Sequence, residues 1–228
     1  MLDCFIKEQK NQDSVKAKKS IYAGIGVAAV VAIIVVIYFT QHAQQTQKIE
    51  ALGLDFTYEE ANSNLKDALQ SQGILMSSPL KFSDQKDIEK YCSFFTDQDK
   101  QKLVQYCTST EIKDAEGNFL GNIHMVGSSK APGLVMAVLQ SNPLLDNLPK
   151  IKTVFGTMSK ELLCDCWAQS KPGGYETIDS WIDALRDFHT AGDKPHSKSK
   201  PLELASKHLQ IELTTNKDGY LWNLLIAR

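Results

Sequence analysis

The chain has 228 residues, 43% of them apolar, and its 25 Lys and Arg residues nearly balance 27 Asp and Glu residues. This composition is typical of a folded protein and excludes a disordered, charge-rich chain. The net charge of −2 excludes a cationic arm that binds nucleic acid, so no nucleic-acid partner is predicted.

An uninterrupted apolar segment occupies residues 21–39 and contains no charged or amide side chain. A helix of this length spans about 28 Å, close to the ~30 Å hydrocarbon thickness of a bilayer. We therefore predict a single transmembrane helix over residues 21–40, with the lipid bilayer as its partner. Two alternatives are weaker, because core helices rarely run this far without a polar residue and a cleaved signal peptide has a shorter apolar region.

Lysines crowd only one end of this segment. Lys16, Lys18 and Lys19 precede it, whereas a Gln-rich stretch follows and the next lysine is Lys48. The positive-inside rule therefore predicts a cell-membrane protein with a cytoplasmic N-terminus and an extracytoplasmic C-terminal domain. The predicted parts are a short basic cytoplasmic tail at 1–20, the transmembrane helix at 21–40, a Gln-rich juxtamembrane linker at 41–56 and one extracytoplasmic domain at 57–228.

Helix signals open the predicted domain. The sequence T-Y-E-E from Thr57 to Glu60 is a capping box, and the apolar stripe after it predicts a helix that ends near Gly73. A second helix is predicted after Ser83, followed by a short helical turn from Thr96.

Two β-hairpins are predicted from alternating apolar and polar residues. Residues 104–113 and 119–126 flank the turn D-A-E-G-N, and residues 209–213 and 220–226 flank the turn N-K-D-G. Two separated hairpins predict an antiparallel or mixed sheet.

Further elements lie between the hairpins. Apolar runs at 133–140 and 151–155 are candidate strands, the apolar stripe at 177–189 predicts a helix, and residues 190–201 predict a loop. The predicted fold class is α+β, with one sheet and helices packed on one side of it.

Four cysteines lie in the predicted extracytoplasmic domain: Cys92, Cys107, Cys164 and Cys166. Because thiols outside the membrane are usually oxidised, all four are disulfide candidates. Pairing Cys164 with Cys166 bridges only one intervening residue, so we favour crossed bonds that join this segment to Cys92 and Cys107. Local pairs, free thiols and metal-bound thiolates remain alternatives.

Thiolate and imidazole side chains also suggest a metal site. Cys164 and Cys166 form a C-x-C pair that could bind Cu or Zn, and His189 and His196 are candidate ligands with nearby carboxylates. The spacing is weak evidence, since zinc sites more often show C-x2–4-C, and no cofactor is required by the sequence. Cu or Zn is therefore a possible cofactor only.

The sequence contains no catalytic signature: G-x-S-x-G, H-E-x-x-H and phosphate-binding glycine loops are all absent. We predict a membrane-anchored protein that is not an enzyme and that binds a protein partner, as a subunit of an envelope or membrane complex. The alternative is a metal-handling or thiol-active protein that uses Cys164 and Cys166. A third possibility is a hydrolase whose dispersed site would pair His124 or His189 with a carboxylate.

Overall fold

The computed structural model describes residues 53–228. The predicted cytoplasmic tail, the transmembrane helix and most of the predicted linker lie outside the described residues. Within residues 53–228, no helix combines the length and the apolar character that crossing a bilayer requires.

Six α-helices lie in the described part of the chain: α1 Tyr58–Gln70, α2 Gln85–Tyr91, α3 Gln98–Lys102, α4 Leu148–Leu162, α5 Trp167–Ser170 and α6 Ile178–Thr190. Nine β-strands accompany them: β1 Ile74–Met76, β2 Leu80–Phe82, β3 Tyr106–Asp114, β4 Phe119–Gly127, β5 Pro132–Ser141, β6 His196–Lys198, β7 Leu202–Leu204, β8 Lys207–Asn216 and β9 Gly219–Ala227. A short 3-10 helix covers Pro172–Gly174.

All strands join one antiparallel sheet with the order β1-β3-β4-β5-β9-β8-β6. The short strand β2 also pairs with β3, and β7 pairs with β8. The α+β prediction is therefore confirmed, with an antiparallel sheet. The last strand, β9, lies in the interior of the sheet between β5 and β8, because the chain returns there after building α4 and α6.

The main core lies between one face of the sheet, here called the inner face, and helices α1, α4 and α6. The inner face carries Ile123, Leu224 and Trp222, which are fully buried. The indole Nε1 of Trp222 donates a hydrogen bond to the Ser141 hydroxyl at 3.0 Å, so its one polar atom is satisfied within the core.

The described residues cover the opposite face of the sheet, here called the outer face, at one end only. Residues of α2 and of the segment that follows it form a second apolar cluster there, which includes Ile88, Val104 and Leu134. The prediction that helices pack on one side of the sheet is therefore right for the three long helices and wrong for this short helical segment.

Two further predictions are corrected. Residues 151–155 form the middle of α4 and not a strand, because Ile151, Val154 and Phe155 are buried at helical spacing and Pro149 stands in the first turn. The stretch 190–201 contains the edge strand β6, which pairs with β8. The capping boxes at Thr57 and Thr177, the helices after them and both hairpins are confirmed.

Candidate functional site

The four cysteines form two local disulfides. Cys92 is bonded to Cys107, and Cys164 is bonded to Cys166. Disulfide bonding is therefore confirmed, but the crossed connectivity that we favoured is wrong. The reason is spatial: Cys92 and Cys107 lie in the second apolar cluster on the outer face, whereas Cys164 and Cys166 pack against the main core.

The two disulfides occupy different environments. Cys92 and Cys107 are fully buried and tie the C-terminal end of α2 to the beginning of β3. Cys164 and Cys166 are half-buried and directly follow α4. The first disulfide is built into a core, whereas the second can be reached from solvent.

A groove of about 410 Å³ lies beside the Cys164–Cys166 disulfide. It is lined by residues of α4, by Trp167 and by residues at the start of α6. Lys160 in this lining forms an ion pair with Asp165, the residue between the two cysteines, at 3.0 Å. The ion pair holds the lysine next to the C-x-C segment, where it offsets the charge of the carboxylate between the two cysteines.

His189 is a core histidine that is satisfied by hydroxyl groups. Its Nδ1 is 2.9 Å from the Ser197 hydroxyl and its Nε2 is 2.8 Å from the Thr215 hydroxyl. Burial lowers the pKa of the His189 imidazole, and nearby His196 lowers it further. The Nδ1 of His196 is itself 2.9 Å from the Thr214 hydroxyl. Hydroxyl groups therefore account for both nitrogens of His189 and for one nitrogen of His196.

Within residues 53–228, no group of three or more His, Cys, Asp or Glu side chains is arranged to hold a metal ion. The structure does not bring the Cys164–Cys166 pair and the two histidines together, because they pack around different elements. It also gives neither His189 nor His124 a hydrogen bond to a carboxylate within that range, so the dyad of a dispersed hydrolase site is not assembled there.

His124 lies on the outer face at the border of the second apolar cluster. Its ring packs against Phe94 with centroids 4.7 Å apart, and its Nδ1 has no hydrogen-bond partner within residues 53–228. Burial lowers the pKa of His124 to about 4, so the ring is neutral at physiological pH. Asn223, on the same face, has a buried Oδ1 that also lacks a partner. Unpartnered buried polar atoms are uncommon in folded proteins and call for an explanation.

The residues around these two side chains are partly exposed and mix apolar with polar groups: Ser109, Glu111, Asn122, Val138, Gln140, Leu221 and Leu225. Phe119 at the rim is 55% exposed. Such a mixture of apolar area and unused hydrogen-bonding groups is typical of the surfaces that proteins use for non-obligate contacts. Alternation in the sequence predicted the strands, but it could not show which of the two faces the helices leave uncovered.

The chain matches no known family model, no curated protein and no solved structure. Its function is therefore inferred from its own residues. Three features carry that inference: the apolar segment in the sequence, the uncovered outer face and the accessible C-x-C disulfide.

Proposed function

We propose that this protein is anchored in a membrane by one N-terminal helix and that its extracytoplasmic domain binds a protein partner through the outer face. In this role it would be a subunit of an envelope or membrane complex. The observation that carries the proposal is the pair of unpartnered buried polar atoms, on His124 and Asn223, within a half-exposed sheet face.

The membrane location is supported by two independent features. The sequence contains an apolar segment of bilayer length at residues 21–39, preceded by lysines. The domain contains two disulfides, and disulfides persist mainly in oxidising compartments outside the cytoplasm. Together they favour a domain that faces away from the cytoplasm.

The binding role is supported by the chemistry of the outer face. Both atoms are closed to solvent in the free domain, so a partner would satisfy them by drawing the Asn223 and His124 side chains toward its own polar groups, which would remove their desolvation penalty. The apolar side chains of Val138, the cross-strand partner of Asn223, and of Leu221, two residues before Asn223 on β9, would be buried in the same contact. A protein surface with amide or hydroxyl groups at the centre of an apolar patch fits these needs.

Orientation is tested by fusing a reporter that is active only outside the cytoplasm, and in parallel one active only inside, after Arg228. The proposal expects activity from the external reporter alone. Activity from the cytoplasmic reporter, or recovery of a mature chain that begins beyond Phe39, would contradict the anchored topology.

Binding is tested by purifying the full-length protein from gently solubilised membranes and measuring the stoichiometry of any companion. Val138→Arg places a charge in the middle of the outer face and should release a stoichiometric companion. Asn64→Arg, an exposed position on α1, is the matched control and should retain it. A companion kept by both variants, or none in the wild type, would count against the proposal.

A second candidate function, thiol–disulfide exchange, is supported by the accessibility of the Cys164–Cys166 disulfide. A client thiolate would attack one sulfur and displace the other as a thiolate. A second client thiol would then release the client as a disulfide and leave Cys164 and Cys166 reduced. In the reduced form, the two thiolates would also offer soft ligands to Cu(I) or Zn(II).

Graded reduction separates this candidate from a structural disulfide. The full-length protein would be treated with increasing dithiothreitol, alkylated and analysed by mass spectrometry. In a separate reaction without dithiothreitol, a synthetic dithiol peptide would serve as the client. The candidate expects Cys164 and Cys166 to be reduced first, with stoichiometric oxidation of the peptide. Reduction of both disulfides together, or no peptide oxidation, would contradict it.

A further inference from the structure

A second feature of the domain lies away from the outer face and from both disulfides. It is a pocket of about 500 Å³ between α1, the loop before β2 and the turn that joins β4 to β5. Three of its lining residues are lysines, Lys66, Lys81 and Lys130, and one is a carboxylate, Glu59. Lys66 and Lys81 alone outnumber the one carboxylate, so the lining carries an excess of positive charge.

Strand pairing places one of these lysines directly opposite a buried threonine. Lys81 in β2 is the register partner of Thr108 in β3, so the two side chains lie on the same face of the sheet. Helix α1 is fixed over the neighbouring part of this face by two contacts. Tyr58 packs edge-on against Tyr106 with ring centroids 4.8 Å apart, and the Thr110 hydroxyl donates to Asn62 Oδ1 at 3.1 Å.

Thr108 is the unusual member of the lining. Only 1% of its surface is exposed, and its hydroxyl is buried without a hydrogen-bond partner among residues 53–228. A hydroxyl group can donate to an anionic oxygen, and a buried hydroxyl that makes no hydrogen bond is unfavourable in the free protein. A ligand oxygen in the pocket would satisfy it.

Two of the lining lysines also lack an ion-pair partner within the described residues. Neither Lys66 nor Lys81 forms an ion pair with another residue in the range 53–228, although ion pairs engage many other lysines of the domain. The hydroxyl of Ser63, which is also in the lining, makes no hydrogen bond within that range. Ammonium and hydroxyl donors thus converge on one concave site.

We propose that this pocket binds a phosphate group. Lysine ammonium groups offer donors only and bind phosphate as point charges, and the threonine and serine hydroxyls add neutral donors for its several oxygens. A carboxylate has only two oxygens and would use fewer of these groups. The phosphate belongs either to a soluble phosphate ester or to a phospholipid headgroup. This proposal does not depend on which side of the membrane the domain faces.

The test is calorimetric titration of the full-length protein in a neutral detergent at constant ionic strength, with inorganic phosphate as the first probe. We expect inorganic phosphate to bind with 1:1 stoichiometry, and its affinity to fall at least tenfold in the double variant Lys66→Gln/Lys81→Gln. Lys86→Gln removes an exposed lysine outside the pocket and should bind like the wild type. Thr108→Val should weaken binding several-fold while the domain stays folded.

Two further probes distinguish the source of the phosphate. Glycerol 1-phosphate represents soluble monoesters, and dihexanoyl phosphatidylglycerol represents lipid headgroups without forming a bilayer. Competition by either one supports the site and identifies its ligand class. Absence of binding by all three probes, or an equal loss in Lys86→Gln and the double variant, would overturn the proposal.

Discussion

Cys92 and Cys107 hold the short helical segment on the outer face against strand β3, with their Cα atoms 6.4 Å apart. The bond closes a loop across a sequence separation of 15 residues, and both cysteines are fully buried. Ile88 and Val104 of the same segment belong to the apolar cluster that contains this disulfide, so the disulfide lies within the part of the outer face that the segment covers.

Removing this disulfide should destabilise the domain substantially. Cys92→Ala/Cys107→Ala releases a loop whose closure contributes about 3 kcal/mol on the chain-entropy model. Denaturant unfolding of the full-length protein in detergent measures the change. The matched variant Cys164→Ala/Cys166→Ala opens a much shorter loop and should cost less. A larger loss in the second variant would contradict this assignment.

Thr108 and Thr110 provide a matched pair for testing an unpartnered hydroxyl. Both are 1% exposed and lie on the same face of β3, but only the Thr110 hydroxyl has a partner, Asn62 Oδ1. Thr108→Val should therefore stabilise the domain by about 1 kcal/mol, whereas Thr110→Val should destabilise it by about 1 kcal/mol. Denaturant midpoints in phosphate-free buffer give both values, and equal effects of the two variants would refute the difference.

Acid should weaken the contact between the first hairpin and α4. The Asp114 side chain is 4% exposed and its carboxylate accepts hydrogen bonds from Lys150 Nζ at 2.8 Å and from the Asn118 backbone N–H at 2.7 Å. The Lys150 hydrogen bond is the largest cause that lowers the pKa of Asp114, ahead of the Asn118 side chain. A lowered carboxyl pKa contributes stability above its ordinary value of 3.8, and this stability is lost as the pH falls.

Lys150→Met should accordingly lower the stability near neutral pH and flatten the acid limb of the stability profile, because the folded-state pKa of Asp114 then returns toward its ordinary value. Urea unfolding between pH 2 and pH 7 measures both effects. Lys102→Met removes a lysine from an exposed ion pair with Asp99 and serves as the control, with little expected effect. An acid limb that is the same in Lys150→Met and in the wild type would show that the contact does not govern acid stability.

His124 predicts a second pH dependence, at milder acidity. Its pKa is lowered from 6.5 to about 4 because burial disfavours the charged ring. The unfolded chain therefore binds the proton first, and stability falls as the pH drops from about 6.5 to about 4, by up to about 3 kcal/mol. His124→Gln should flatten this part of the profile.

The His124→Gln variant should keep part of this pH dependence of stability. Burial also lowers the pKa of His189, so part of the decrease between pH 6.5 and pH 4 should persist in the His124→Gln variant. An unchanged slope in that variant would mean that His124 is protonated at its ordinary pH in the folded domain. A partner bound at the outer face that donates to this ring would shift its titration further, which NMR of the ring protons can follow.

The sequence correctly predicted the helices and hairpins whose ends are marked by local capping or turn residues. The capping boxes at Thr57 and Thr177 and the turn before Gly219 fix where helices and hairpins begin, so these regions could be predicted from the sequence. Residues 151–155 could not, since a short apolar run fits both a strand and a buried helix. The deciding contacts come from α1 and α6, which are distant in sequence.

The candidate sites depend on long-range pairing and were therefore less accessible to prediction. The phosphate pocket needs the three-residue strand β2 to place Lys81 on Thr108, and no pattern in the sequence marks that strand. The sequence makes His189 a candidate metal ligand because His196 and carboxylates lie near it, next to a stretch that predicts a loop. Once β6 pairs with β8, Ser197 becomes a buried partner of its ring.

The interior position of β9 has a consequence for the order in which the protein can be made. Until Gly219–Ala227 has been synthesised, β5 exposes a free edge and β8 has no neighbour on that side. At roughly 5–20 residues per second, this state lasts several seconds after β5 emerges. Premature termination would consequently leave two separated half-sheets with open edges, a form that invites aggregation and removal by proteases.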